Sequence, residues 1–115
     1  MITITNGKSE DRGIRTFTIS GHSGYGQEGQ DIICAAVSAL GQTAIAALEE
    51  LTDVDIEYEI DDDKAYLHCK VILPDDVEDR EYIKAQTIID SFELGCRYTR
   101  DSTKKEYIRI KDTII

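Results

Sequence analysis

The sequence predicts an α+β domain: an antiparallel sheet of four to five strands with two helices packed on one face. Three observations carry that expectation. Alternating apolar segments come in adjacent pairs, which makes hairpins. Each pair is followed by a longer stretch whose apolar residues recur at three- and four-residue steps, which makes a helix. Hairpins also rule out a doubly wound parallel sheet, in which every strand needs a crossover. The 115 residues are the size of one domain, and no repeat or linker divides residues 1–115.

Ile2 to Thr5 alternates and opens the first strand, and Asn6-Gly7 is a turn signal. A polar connection from Gly7 to Gly13 leads to the β-branched run Ile14–Ser20, which pairs back as a hairpin. Gly21, Gly24, Gly26 and Gly29 follow, half of the chain's eight glycines within nine residues, a segment expected to be mobile until something binds it. Asp31 to Thr52 is the clearest helix, with Ile33, Val37, Leu40, Ala44, Ala47, Leu48 and Leu51 on one face and Asp31 as its N-cap. Gly41 in its interior reads as a close-contact site. Val54, Ile56, Tyr58 and Ile60 alternate with acidic residues, a strand with one wet face. Asp61-Asp62-Asp63-Lys64 turns the chain into a partner strand carrying Ala65, Leu67, Cys69 and Val71, which Pro74 ends. Asp79 to Arg97 is a second helix and Glu106 to Ile110 a possible last strand, giving the order ββαββα(β).

Composition excludes several classes of function. Acidic residues number 23 against 13 basic ones, and the net charge of −10 argues against a nucleic-acid surface, which needs clustered Lys and Arg. It favours a basic or neutral partner instead. Trp is absent and aromatics are only 7%, so a base-stacking platform is not expected. No apolar run of about 18 residues is evident and the start carries no secretory pattern, so neither a membrane span nor export is expected. Cys34, Cys69 and Cys96 are widely spaced with no CxxC pair, and the two histidines are dispersed. Neither a disulfide framework nor a metal site follows. A reduced, cytoplasmic protein without cofactor is expected.

The chemistry concentrates in residues 21–38. A histidine, His22, stands at the end of a strand, a glycine loop follows, and Cys34 falls near the start of a helix. With Asp31 as N-cap, the unpaired amides and positive end of the helix favour a thiolate at Cys34. A nearby imidazole can take the thiol proton and return it to a leaving amine. Free amides at the helix start, that of Cys34 included, could hold an oxyanion. Ser38, four residues on, shares the face of Cys34 and could bond the sulfur or a peptide. Asp31 could cap the helix or orient His22. Gly21, Ser23, Gly24, Gly26 and Gly29 would form the loop that closes over an extended peptide. The other cysteines sit at apolar positions of a strand and a helix and read as core filler; His68 reads as a solvated side chain on a strand's polar face.

Two competing readings stand beside this one. Gly24-Tyr25-Gly26-Gln27-Glu28-Gly29 matches a dinucleotide-binding pattern, but the next strand leads into a hairpin. The acidic residue expected about twenty positions on would fall inside the helix, near Glu49 and Glu50. Alternatively, the chain is an acidic module that grips a basic peptide without chemistry, and Cys34 is an inert thiol.

The segment closely resembles the ribosomal-processing cysteine protease family, Prp, of bacteria. The resemblance rests on Gly21-His22-Ser23 with its glycine-bearing loop and on Gly29-Gln30-Asp31-Ile32-Ile33-Cys34-Ala35-Ala36-Val37-Ser38-Ala39-Leu40. Many members have alanine where this chain has Ser23. Chain length and element order also agree. The resemblance implies a Cys-His endopeptidase with Cys34 as nucleophile and His22 as base. It implies a substrate as well: the N-terminal extension of ribosomal large-subunit protein 27, cut after an aromatic residue in a basic, apolar segment. The resemblance also implies a homodimer and a loop that orders on substrate. Composition adds the expectation of no direct contact with nucleic acid or membrane, and the alternative without chemistry becomes an acidic peptide-binding module associated with ribosome assembly.

Overall fold

A computed structural model describes residues 1–11, 13–21, 30–103 and 107–115, with the backbone alone at Gln30 and Asp31. Among them are seven elements: β1 (Ile2–Lys8), β2 (Ile14–Ser20), α1 (Gln30–Leu51), β3 (Asp55–Asp61), β4 (Tyr66–Ile72), α2 (Asp79–Asp101) and β5 (Ile108–Ile114). The strands form one sheet in the order β3-β4-β2-β1-β5. Both expected hairpins are present as antiparallel pairs, β1 with β2 and β3 with β4.

The sheet is mixed rather than wholly antiparallel, because β5 runs parallel to β1. The cause is connectivity. β4 lies antiparallel to β2 and β2 antiparallel to β1, so β4 and β1 point the same way. A helix returning the chain from the end of β4 must deliver β5 in that direction too. The last strand is Ile108–Ile114, later and longer than the expected Glu106 to Ile110.

Asn6-Gly7 is not the turn. Both residues lie inside β1, opposite Phe17 and Thr16. A Cβ on Gly7 would stand 2.2 Å from Thr16 Oγ1, so the glycine serves close strand packing. The chain reverses after Lys8 instead, where the Ile14 amide donates to Ser9 Oγ at 2.8 Å and the Gly13 amide to Asp11 Oδ1 at 3.0 Å.

Both helices cover one face of the sheet. Ile2, Ile4, Phe17, Ile19, Leu67, Cys69 and Val71 rise from it, and Ile33, Val37, Leu48, Ile89, Phe92 and Cys96 descend from the helices. Phe17 and Phe92 meet with ring centroids 4.5 Å apart, a spacing typical of favourable aromatic pairs. Gly41 is the close-contact site its position suggested: an added Cβ would lie 2.8 Å from Ile19 Cδ1 and 3.1 Å from Leu67 Cδ1. The same face hides a charge. Arg15 is 4% exposed and pairs with Glu93 at 2.9 Å and Asp90 at 3.3 Å, with Gln86 as a further acceptor.

Within α1, Ile32–Leu51 has a mean hydropathy of 1.6 and is long and apolar enough to cross a membrane, which corrects the expectation that no such stretch exists. The reason is its alanines, which raise hydropathy without making a uniformly greasy surface. Ile33, Val37, Ala44, Ile45 and Leu48 of this helix are buried in the core, while Ala35, Ala39, Gln42 and Thr43 face outward.

Candidate active site

The start of β1, the end of β2, the end of β3 and the start of β4 converge at one end of the sheet, beneath the first turns of α1. A cavity of about 240 Å³ opens there. Cys34, Ser38 and Gln42 enter it from α1 at successive four-residue steps, one face of the helix. Ile60 and Asp62 reach it from the β3–β4 hairpin, Tyr66 borders it at the start of β4 with its ring turned to the other face, and Ile2, Ile19 and Leu67 form the apolar floor. Cys34 is half-buried, so its sulfur is not sealed in the interior.

Two backbone features shape the rim. Gly21 has φ of +110°, and an added Cβ would stand 2.3 Å from the Met1 carbonyl oxygen. Only glycine fits, and the position leads directly into residue 22. Ala65 takes φ of 50°, and its amide donates to the Asp62 carbonyl at 3.3 Å, closing the turn that presents Asp62 to the cavity.

The start of α1 differs from the expectation. The helix begins at Gln30, so Asp31 lies inside the first turn rather than at the cap. Cys34 is then the fifth helical residue. Its N–H has the Gln30 carbonyl as its i−4 partner and is not among the free amides of the helix start. An oxyanion would draw its donors from residues before it.

The other two cysteines have a different character. Cys69 and Cys96 are 0% exposed. Burial, with a smaller contribution from Glu49, pushes the Cys69 thiol up to about 12. Burial again, then the charge of Glu93, pushes Cys96 to about 12. Both are thiols at neutral pH and fill the core as expected. His68 sits on the helix-free face, where its Nδ1 lies 2.8 Å from Thr18 Oγ1 and its ring stacks on Tyr66; it is half-buried rather than simply solvated, and it does not line the Cys34 cavity.

Of the site residues expected from sequence, the structure brings Gly21, Cys34 and Ser38 to one cavity. His22, Ser23, Gly24, Gly26 and Gly29 lie outside the described residues, as does the side chain of Asp31. Gln42, Ile60, Asp62 and Tyr66 were missed. Gln42 was within reach, being eight residues from Cys34 on the same helical face. The hairpin residues were not, because only the packing of α1 across the sheet brings them to the cysteine.

Comparison with known proteins places this geometry. The family model for cysteine protease Prp matches residues 1–109. The ribosomal processing cysteine protease Prp of Bacillus subtilis (strain 168) is 29% identical over 115 residues, the whole of both chains. The essential ribosomal processing protease Prp of S. aureus, solved with a substrate peptide, superposes with a TM-score of 0.78 at 22% identity, over 97% of this chain and 99% of that one. The same enzyme with a covalently linked product peptide gives 0.77 at 24% identity and the same coverage. A Streptococcus mutans protein of known structure gives 0.75 at 28% identity, over 100% of this chain and 96% of the other. A thiol open to solvent in a cavity at the sheet's end, within a chain matched almost throughout by the family model, leaves one conclusion: this chain belongs to the cysteine protease Prp family and is a cysteine endopeptidase.

Proposed function

We propose that Cys34 and His22 form the catalytic dyad and that the substrate is the N-terminal extension of the ribosomal large-subunit protein 27 precursor. The observation that carries this is the placement of Cys34, the one cysteine of three with solvent access, on the cavity face of α1. His22 takes the proton from Cys34 Sγ as the sulfur attacks the scissile carbonyl. The resulting oxyanion collapses to a thioester, and His22 returns the proton to the departing amine. Water, deprotonated by the same imidazole, then releases the new carboxylate and regenerates the thiol.

The neighbouring residues have supporting parts. Asp31, in the first turn of α1, orients the imidazole. Ser38 donates to the bound peptide from one turn beyond Cys34. Gly21 sets the direction of the loop that runs on through Ser23, Gly24, Gly26 and Gly29 and closes on substrate. The net charge of −10 supports a basic substrate, and the relatives' role in ribosomal processing supports a ribosomal one. We infer a cytoplasmic homodimer. Ile83, Leu94 and Tyr98, exposed along one side of α2, are the apolar surface that supports the pairing.

Cleavage of a synthetic extension peptide by purified variants tests the dyad. Cys34→Ala should bind the peptide without cutting it, and His22→Ala should lose at least about a hundredfold in kcat, the scale of a missing general base. Cleavage by Cys34→Ala at the wild-type rate refutes the assignment.

A further inference from the structure

β3 is an edge strand, and among the described residues no strand pairs with its far side. It is seven residues long without proline and keeps an unbroken register with β4 from Asp55 to Asp61. Its outward N–H and C=O groups therefore form a regular row, the arrangement to which an extended chain can add as a further strand. α1 stops short of covering it: Tyr58 is 50% exposed and Ile60 40% exposed on the helix-covered face. On the opposite face Asp55, Glu57 and Glu59 are all exposed, with Lys70 Nζ 4.0 Å from Glu57 as the nearest paired cation. The row ends at the active site, since Ile60 lies within β3 and also lines the Cys34 cavity.

An open edge of this length usually invites self-association. Here a second copy of β3 would set carboxylates against carboxylates, which opposes pairing. A peptide with Lys or Arg at alternate positions meets the reverse situation. Directly opposite neighbours on one face of a sheet lie about 5 Å apart and diagonal ones about 7–8 Å, so each cation would sit beside a carboxylate. Side chains of the other parity would lie against Ile56, Tyr58 and Ile60. We propose that β3 is the docking strand for the substrate: an extended peptide pairs with its free edge, places basic side chains along Asp55, Glu57 and Glu59, and enters the Cys34 cavity at the Ile60 end. Seven residues of strand at about 3.3 Å each give roughly 23 Å of contact outside the cavity. The proposal rests on the protease reading and adds to it the surface that selects the substrate.

Binding separates the two ideas, because it needs no chemistry. Fluorescence anisotropy on full-length Cys34→Ala would compare two labelled extended peptides, one with lysine and one with glutamine at the alternate positions. Replacing the three carboxylates (Asp55→Asn, Glu57→Gln, Glu59→Gln) should weaken the lysine peptide about tenfold at low salt, the sum of several exposed pairs, and leave the glutamine peptide unchanged. N-methylation of the lysine peptide at alternate amides should abolish binding in one parity and spare it in the other, on the protein with its carboxylates intact. That arm stands even if the triple variant does not fold. Equal affinity for the triple variant, loss of both parities alike, or no binding of either peptide because a second copy occupies the edge would each overturn the docking strand. Wild-type cleavage of the same peptides, read separately, reports on the dyad.

Discussion

Alkylation offers a direct measure of how differently the fold treats its three thiols. A thiol with a pKa of about 12, such as Cys69 or Cys96, has roughly one molecule in 100,000 ionised at pH 7. An unperturbed thiol near 8.5 has about 3%. The thiolate supply alone therefore separates either buried cysteine from an ordinary exposed one by about three thousandfold. Steric access widens the gap, since both buried residues are 0% exposed whereas Cys34 opens into the cavity. Native protein treated with iodoacetamide at pH 7 and read by intact mass and peptide mapping should gain one adduct, at Cys34, with peptidase activity falling in step. Denatured protein should gain three, and native Cys34→Ser none. Rapid labelling of Cys69 or Cys96 in the folded protein, or a Cys34 that stays unlabelled while they react, would refute the reasoning.

Two further outcomes follow from the backbone at the site and from one carboxylate outside it. Gly21→Ala forces a side chain into φ of +110° and against the Met1 carbonyl, so urea unfolding should show a loss of about 2 kcal/mol or more; unchanged stability would mean the junction has another shape. Glu81 accepts from Lys84 Nζ at 3.0 Å and from the Asp53 amide at 2.6 Å, and these bonds, the lysine's first, hold its carboxyl below the ordinary 4.5. A carboxyl lower in the folded chain than in the unfolded one stabilises fully above the unfolded value and loses that contribution as pH falls through the folded one. The Tm of wild type should therefore fall more steeply than that of Glu81→Gln as pH drops below about 4.5, and parallel curves would contradict the assignment.

The hairpins, the helices and the cysteine at a helix start were legible because each is a local pattern. Alternation in Phe17–Ser20 and Ala65–Val71 reports a strand half-buried against something, and four-residue recurrence in α1 reports one covered face. The same logic missed Asn6-Gly7, whose turn chemistry is overridden by the partner strand that Gly7 lies against. Arg15 was also illegible. Nothing nearby in sequence marks an arginine for burial, because its partners Asp90 and Glu93 lie 75 and 78 residues away.

Local pattern alone set out the elements and singled out Cys34 as the candidate nucleophile, since both readings depend on side chains within a few positions of one another. The parallel placement of β5, the cavity built by Ile60, Asp62 and Tyr66 around Cys34, and the open edge of β3 were decided only in three dimensions. Each is a contact between segments far apart along the chain, and such contacts are selected by how the two helices share one face of the sheet rather than by any local preference.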